Sequence, residues 1–189
     1  YFKETFHKEG RKVYTLDMSP LAPALYAGDE YFRIDKDFNN LGLYVDNILE
    51  ICKKKNITAI LTLIDPELVL LSDYKEKFEA QGITIIISDI GFIKETFDKF
   101  GFFNTYRDTI KLVDTVGSYE EALGKLSTGE WTYPLFAKLR DGSASIGIMK
   151  INSEADFETT RYNPKYIYQP FIMGCEFGVD AYFDMVSGE

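Results

Sequence analysis

Over the first 90 residues, short apolar runs alternate with amphipathic stretches. Residues 12–17 (KVYTLD) alternate apolar and polar like a strand, and 31–34 (YFRI) read as a second short one. In 41–55 (LGLYVDNILEICKKK), Leu41, Val45, Ile48 and Cys52 recur at helical spacing, and the basic last turn suits a helix C-terminus. The unbroken run ITAILTLI (57–64) predicts a strand covered on both faces. Pro66 sits near the start of the next helix, which Gly82 closes, and ITIIIS (83–88) predicts another strand. Strands alternating with helices predict an α/β domain with a parallel sheet and helices on both sides.

Beyond residue 90 the period changes. DIGFIKETFDKFGFFNTYRD predicts two short helical pieces meeting near Thr96, and TIKLVDT an extended connector. Ser118 with Glu121 three residues on is a capping-box signature. There follow a strand at 134–139, a Gly/Ser loop, a strand at 146–151, a short helix (SEADFETT), and strands in YIYQPFI and EFGVDAYFDM. This is α+β patterning, so two domains are expected, 1–90 and 91–189. The opening stretch reads as the second half of a helix and the last as a strand entering a turn. A β-strand before residue 1 and a half-domain after residue 189 are therefore expected.

Composition narrows the function classes. A net charge of −9 over 189 residues argues against broad nucleic-acid binding, which needs a basic face. The apolar runs are too short to span a bilayer. Two separated cysteines form no metal spacing and suit a reduced, cytoplasmic setting. A single histidine, His7, leaves no room for a His-based zinc site or triad.

Two stretches can carry chemistry. In KLRDGSASIG (138–147) glycines can turn backbone N–H groups towards one point, serines add donors, and Lys138 and Arg140 supply charge for an anion. The loop joins two strands, without the strand–loop–helix setting of a P-loop, and by itself reads first as a mobile hairpin and second as an anion site. In YIYQPFIMGCEFGVD (166–180), Pro170 frees main-chain groups that could read the edge of a base, and Glu176 could accept from ribose hydroxyls or be a solvated charge.

In this order, and with FDK (97–99) upstream, these stretches resemble the ATP-grasp superfamily over nearly the whole chain, its carbamoyl-phosphate synthase large-subunit-like members above all. The resemblance implies a Rossmann-like, parallel-sheet pre-ATP-grasp domain followed by an incomplete ATP-grasp domain. It implies ATP as the nucleotide, with Lys99 and Lys138 on its phosphates. The loop containing Gly142, Ser143, Ala144, Ser145 and Gly147 becomes a lid that closes over the triphosphate. Gln169, Pro170, Phe171 and Ile172 become the segment whose backbone reads adenine, and Glu176 the ribose-binding acid. Leu139 stands where the family usually has proline, and Pro170 where it usually has glutamate.

The activity so implied is that of an ATP-dependent ligase joining a small-molecule carboxylate, or bicarbonate, to an amine through an acyl phosphate. The alternative is a non-catalytic nucleotide-binding or regulatory protein of the same fold. Mg2+ is implied as well, with its ligands expected beyond residue 189, so no metal ligand and no catalytic residue are assigned within the chain. A homodimer is compatible with this reading. A dinucleotide-binding reading of Asp17 would need a Gly-rich turn before residue 1. Phe97, Phe100, Phe102, Phe103 and Tyr106 read as packing residues, Asp65 and Glu67 as acceptor-site candidates or helix-start charges. His7 reads as a surface helix residue and Cys175 as a small buried one.

Overall fold

The alternation in the first 90 residues is realised as two parallel strand pairs. A computed structural model of the chain describes residues 2–179, 181, 184 and 187. The chain divides into two units, Tyr1–Ile93 and Lys94–Glu189.

The first unit runs α1 (Phe2–Lys8), β1 (Tyr14–Asp17), a 3₁₀ turn (Pro23–Ala27), β2 (Glu30–Arg33), α2 (Leu41–Lys55), β3 (Ala59–Leu61), α3 (Asp65–Asp73), α4 (Lys75–Glu79) and β4 (Thr84–Ile86). β1 pairs in parallel with β2, Tyr14 opposite Glu30, and β3 with β4, Ala59 opposite Thr84. The expected single sheet is thus two two-stranded ladders among the described residues. Helix α2 forms as its spacing predicts. Asn40 caps its start by accepting from Leu43 N, and Asn56 ends it in the left-handed conformation at φ 54°. Its buried stripe of Tyr44, Val45, Ile48, Leu49 and Cys52 packs with Leu71, Phe78, Ile83 and Ile85 into one core.

Two expectations for this unit change. The helix expected from Pro66 to Gly82 is broken at Tyr74, whose φ of −110° and ψ of 9° end α3, and whose N–H bonds back to Leu71 O and Ser72 O. The run 57–64 is a strand for three residues only. The core covers the face that carries Ile60 and Ile85, while Leu61 and Leu63 are exposed. Continuous apolarity was read as burial on two faces, but in this unit helices cover one.

The second unit contains α6 (Lys99–Tyr106), α7 (Tyr119–Ser127), β5 (Leu135–Leu139), β6 (Met149–Ile151), α8 (Glu154–Glu158) and β7 (Tyr166–Pro170), with α5 (Ile90–Phe97) spanning the division. The break between α5 and α6 falls at Asp98, two residues beyond the expected point. The strands are antiparallel in the order β6–β5–β7. Ser118 caps α7 by accepting from Glu121 N, and Glu121 Oε2 accepts in return from Gly117 N at 2.9 Å.

Alternation sorts the sheet. Leu135, Ala137, Ile151 and Tyr168 point to the core with Ala122, Trp131 and Phe157. The opposite face carries Phe136 and Lys138 of β5, Lys150 of β6 opposite Phe136, and Ile167 and Gln169 of β7. β7 pairs with β5 along one edge, and its other edge carries an isolated bridge from Tyr168 to Val116. Residues 171–179 have no regular structure, so the strand expected from Glu176 does not form over 176–179. The rest of that expected strand includes Asp180, Tyr182, Phe183 and Met185, which lie outside the described residues. Cys175, expected to be buried, is exposed because it sits in this unpaired segment.

Phe157 is fully buried, stacked on Tyr119 at 4.2 Å and edge-on to Tyr168 at 5.5 Å. Phe157→Ala leaves a cavity between two aromatic rings and should cost about 3–5 kcal/mol. The expected outcome is a lower urea midpoint at unchanged slope. An unchanged midpoint would mean that the site collapses without loss.

Candidate functional site

The site is built around the strand end that carries Lys138 and Arg140. Inward-facing Leu135 and Ala137 seat β5 in the core, so Lys138 is held on the other face. Among the described residues Lys138 has no hydrogen-bond or ion-pair partner. Burial, and then the charge of Lys99, lower its pKa from the ordinary lysine value. Lys99 begins α6, and its ammonium donates to Gly142 O in the loop. Two cations from separate elements therefore feel one another near the end of β5, and Lys99 also feels the Asp141 carboxylate.

The loop has a defined shape. Ile146 N donates to Ser143 O at 3.0 Å, and the two residues between, Ala144 and Ser145, have φ of 52° and 58°. Gly147 follows at φ 71°. Positive φ at both central positions is the geometry of a primed hairpin turn, for which Asn and Gly are the relaxed residues. Ala and Ser hold it at a cost of about 1–2 kcal/mol each. The loop also rests on Leu139: a Cβ on Gly142 would lie 2.9 Å from Leu139 Cβ, and one on Gly147 2.8 Å from its Cδ1. Both positions need glycine, and Leu139, the departure from the family pattern, is the side chain they pack on.

Arg140 has a partner that the sequence reading did not give it. Its Nε donates to Asp98 Oδ1 at 2.5 Å and its Nη2 donates to Asp98 Oδ2. The Asp98 carboxyl is held below the usual carboxylate range, chiefly by Arg140, and it also caps α6. At the foot of the loop Asp141 pairs with Lys165 at 2.9 Å.

The second predicted stretch lies on the same sheet face at its start. Gln169 donates from Nε2 to the buried Thr115 Oγ1 at 2.8 Å. Pro170 ends β7, and Phe171 N donates to Pro134 O at 3.1 Å. Ile172 and Glu176 are exposed on the segment without regular structure. Lys150 was missed by sequence reasoning. Its ammonium lies 4.2 Å from the centre of the Phe171 ring, and Phe136 is 6.3 Å from that ring. The signal was present: in Met149-Lys150-Ile151 a lone cation sits between two apolar residues, and period two puts it opposite the core.

The remaining candidates have structural partners. Phe103 is buried, Phe102 packs on Tyr106 at 4.7 Å, and Phe100 lies under Arg140. In the first unit Glu67 is a partly buried hub, accepting from Lys36 at 2.7 Å, Tyr44 at 2.7 Å and Thr62 at 3.1 Å. Burial, and then Glu67, push the Tyr44 phenol above its usual range. Asp17 accepts from Ser19 N at 2.7 Å, Asp65 is exposed at the start of α3, and His7 pairs with Asp29 at 2.9 Å on the surface. A cavity of about 270 Å³ lined by Ser118, Tyr119, Arg161, Tyr162 and Tyr166 includes none of the lysines above. Among the described residues no three His, Cys, Asp or Glu side chains converge as metal ligands, and no helix is long and apolar enough to cross a membrane.

Lys138 makes a signed prediction. Burial and a neighbouring cation disfavour its charged form, so folding costs free energy at pH values below the folded pKa. That cost vanishes as pH rises past the ordinary value of 10.5. Lys138→Met should therefore raise the melting temperature of the nucleotide-free protein at pH 7, with the gap closing towards pH 10.5. A variant less stable at pH 7 would show that Lys138 is not under this stress.

Residues 1–86 match the family model of the PylC-like N-terminal domain. No curated protein sequence matches the chain. Among solved structures, the chain is similar to the biotin carboxylase domain of Hydrogenobacter thermophilus 2-oxoglutarate carboxylase, described with MgADP, ADP and bicarbonate. The TM-score is 0.62 at 17% identity, over 89% of this chain and 41% of that one. Biotin carboxylase from Campylobacter jejuni, in complex with β-γ-ATP, gives 0.62 at 16% identity, over 90% and 42%. N5-carboxyaminoimidazole synthetase from Staphylococcus aureus, complexed with ADP, gives 0.60 at 18% identity, over 90% and 43%. The chain thus spans less than half the length of each. These likenesses do not single out carbamoyl-phosphate synthases. Residues 1–86 are thus similar to the PylC-like N-terminal domain, and the chain shares the fold of the corresponding part of these ATP-grasp structures.

Proposed function

We propose that this chain forms part of an ATP-dependent ligase that activates a carboxylate, or bicarbonate, as an acyl phosphate and passes the acyl group to an amine. The observation that carries the reading is that Lys99 and Lys138 repel one another beside a strained Gly/Ser loop, with no carboxylate on Lys138 among the described residues. Such a pair favours a polyanion, which would add to the Gly142 carbonyl and the Asp141 charge that Lys99 already meets. The structural relatives are described with ADP, MgADP or an ATP analogue, one of them with bicarbonate, which supports the same reading. Use of bicarbonate in the manner of a carbamoyl-phosphate synthase is the finer form of this proposal. Residues 1–90 would be the pre-ATP-grasp domain and 91–189 the first part of the nucleotide-binding domain. A homodimer is the proposed assembly, as in the H. thermophilus domain dimer.

In this reading Lys99 and Lys138 neutralise the phosphates, and the amides of Gly142–Gly147 turn towards them as the loop closes. Closure requires Lys99 to exchange its bond to Gly142 O for one to phosphate oxygen, so binding and loop movement are linked. Lys150, Phe136 and Phe171 offer an apolar and cationic surface at the base end, beside the main chain of Gln169–Ile172. Glu176 would close on the ribose hydroxyls. Magnesium would supply charge neutralisation on the transferring phosphoryl group.

Calorimetry of the full-length protein with ATP and magnesium tests the reading. Micromolar binding that Lys138→Met weakens tenfold or more, about 1.4 kcal/mol, is expected, together with ADP release that depends on a carboxylate or bicarbonate and an amine. Binding without turnover in any acceptor mixture would favour the non-catalytic alternative. No binding at all would overturn both.

A further inference from the structure

We propose that Asp98 and Arg140 act as one positioning pair, whose double hydrogen bond ties the end of β5 to the start of α6 and so holds Lys99 beside Lys138. This rests on the nucleotide reading for its purpose, though not for its geometry. A single carboxylate takes bonds from both elements. From α6 it accepts Phe100 N at 3.2 Å and Gly101 N at 3.0 Å, and from the end of β5 it accepts the Arg140 fork. A bidentate guanidinium–carboxylate pair fixes direction as well as distance.

The main chain repeats the tie. Lys99 N donates to Arg140 O at 3.1 Å, and Arg140 N is itself fixed by Lys165 O at 2.8 Å. The guanidinium also lies 5.5 Å from the centre of the Phe100 ring. That ring occupies the space where a Cβ on Gly117 would stand, 2.5 Å from Phe100 Cε1. The first turn of α6 is thus gripped from the strand end and from the residue before the α7 cap. Lys99 lies inside this grip.

Holding two ammonium groups close needs such a grip, because their repulsion would otherwise drive them apart before an anion arrives. The same geometry removes Arg140 from the phosphate ligands that the sequence suggested. Its charge is already matched by Asp98, leaving the net positive field of the site to Lys99 and Lys138.

The two roles for Arg140 predict opposite effects of changing Asp98. The experiment compares wild type, Asp98→Asn, Arg140→Met and the double variant of the full-length protein, binding ATP with magnesium by calorimetry. Asn caps a helix as well as Asp does, so Asp98→Asn keeps α6 while breaking the charged fork. As a positioning pair, each single change weakens ATP about tenfold, and the double variant is no weaker than either. If Asp98→Asn leaves binding unchanged or tightens it while Arg140→Met weakens it, Arg140 is a direct phosphate ligand and the proposal fails. Additive losses overturn it equally, as does binding unchanged in all three.

A second readout needs no nucleotide. The Lys138 side chain, titrated by carbon-13 NMR, should return towards the ordinary lysine pKa in both single variants as Lys99 drifts away. An unchanged titration overturns the pair. If wild type binds no ATP, the nucleotide reading falls, and this titration still decides the pair.

Discussion

The burial of Lys138 within reach of the Lys99 charge is the constraint on which the candidate site depends. Neither lysine would choose the other as a neighbour. Lys138 is carried there by a strand whose alternate residues, Leu135 and Ala137, are fully buried, and Lys99 by a helix whose start is gripped by Asp98. The core thus does electrostatic work: apolar burial on one face of β5 fixes a cation on the other. A polyanion bound there would release the stress this leaves on Lys138, so in the proposed function folding and binding pull in opposite directions at the same residue. Sites of this kind give up stability for affinity.

The loop above the lysines carries a related tension. Ala144 and Ser145 adopt left-handed angles where Asn or Gly would be relaxed, and the turn persists because Gly142 and Gly147 seat it on Leu139. A segment fixed at its foot and strained at its tip can exchange one set of partners for another at low cost. The Lys99 bond to Gly142 O is the contact by which an arriving phosphate would be felt. The structure shows the hairpin turn, and the phosphate lid is the role proposed for the same loop.

The first unit keeps its charges differently. Glu67, Lys36, Tyr44 and Thr62 satisfy one another in a nearly buried network beyond the end of β3. Both oxygens of that carboxylate are used, and the group behaves as a fastening between α2, α3 and the strand ends. The candidate acceptor residue of the sequence is thus occupied by neighbours from its own domain.

Much of this was legible in the residue pattern, because it depends on periods and caps that are local. The span of α2, the α7 cap at Ser118, the parallel pairing of the first unit, the antiparallel sheet of the second and the Gly/Ser loop between two strands all follow from spacing of a few residues. The order of longer stretches added a resemblance to ATP-grasp proteins, which local spacing alone does not give. What spacing could not supply is which distant groups meet. Asp98 and Arg140 are 42 positions apart, and an arginine beside a Gly/Ser loop looks the same in sequence whether it faces a phosphate or a carboxylate. Strand register decides that Lys150 shares a face with Lys138, and one-sided helix packing decides that an apolar run is only half covered. Local propensity determined the elements, whereas the tertiary structure decided the pairing of charges, because Coulomb forces depend on distance in space and not along the chain.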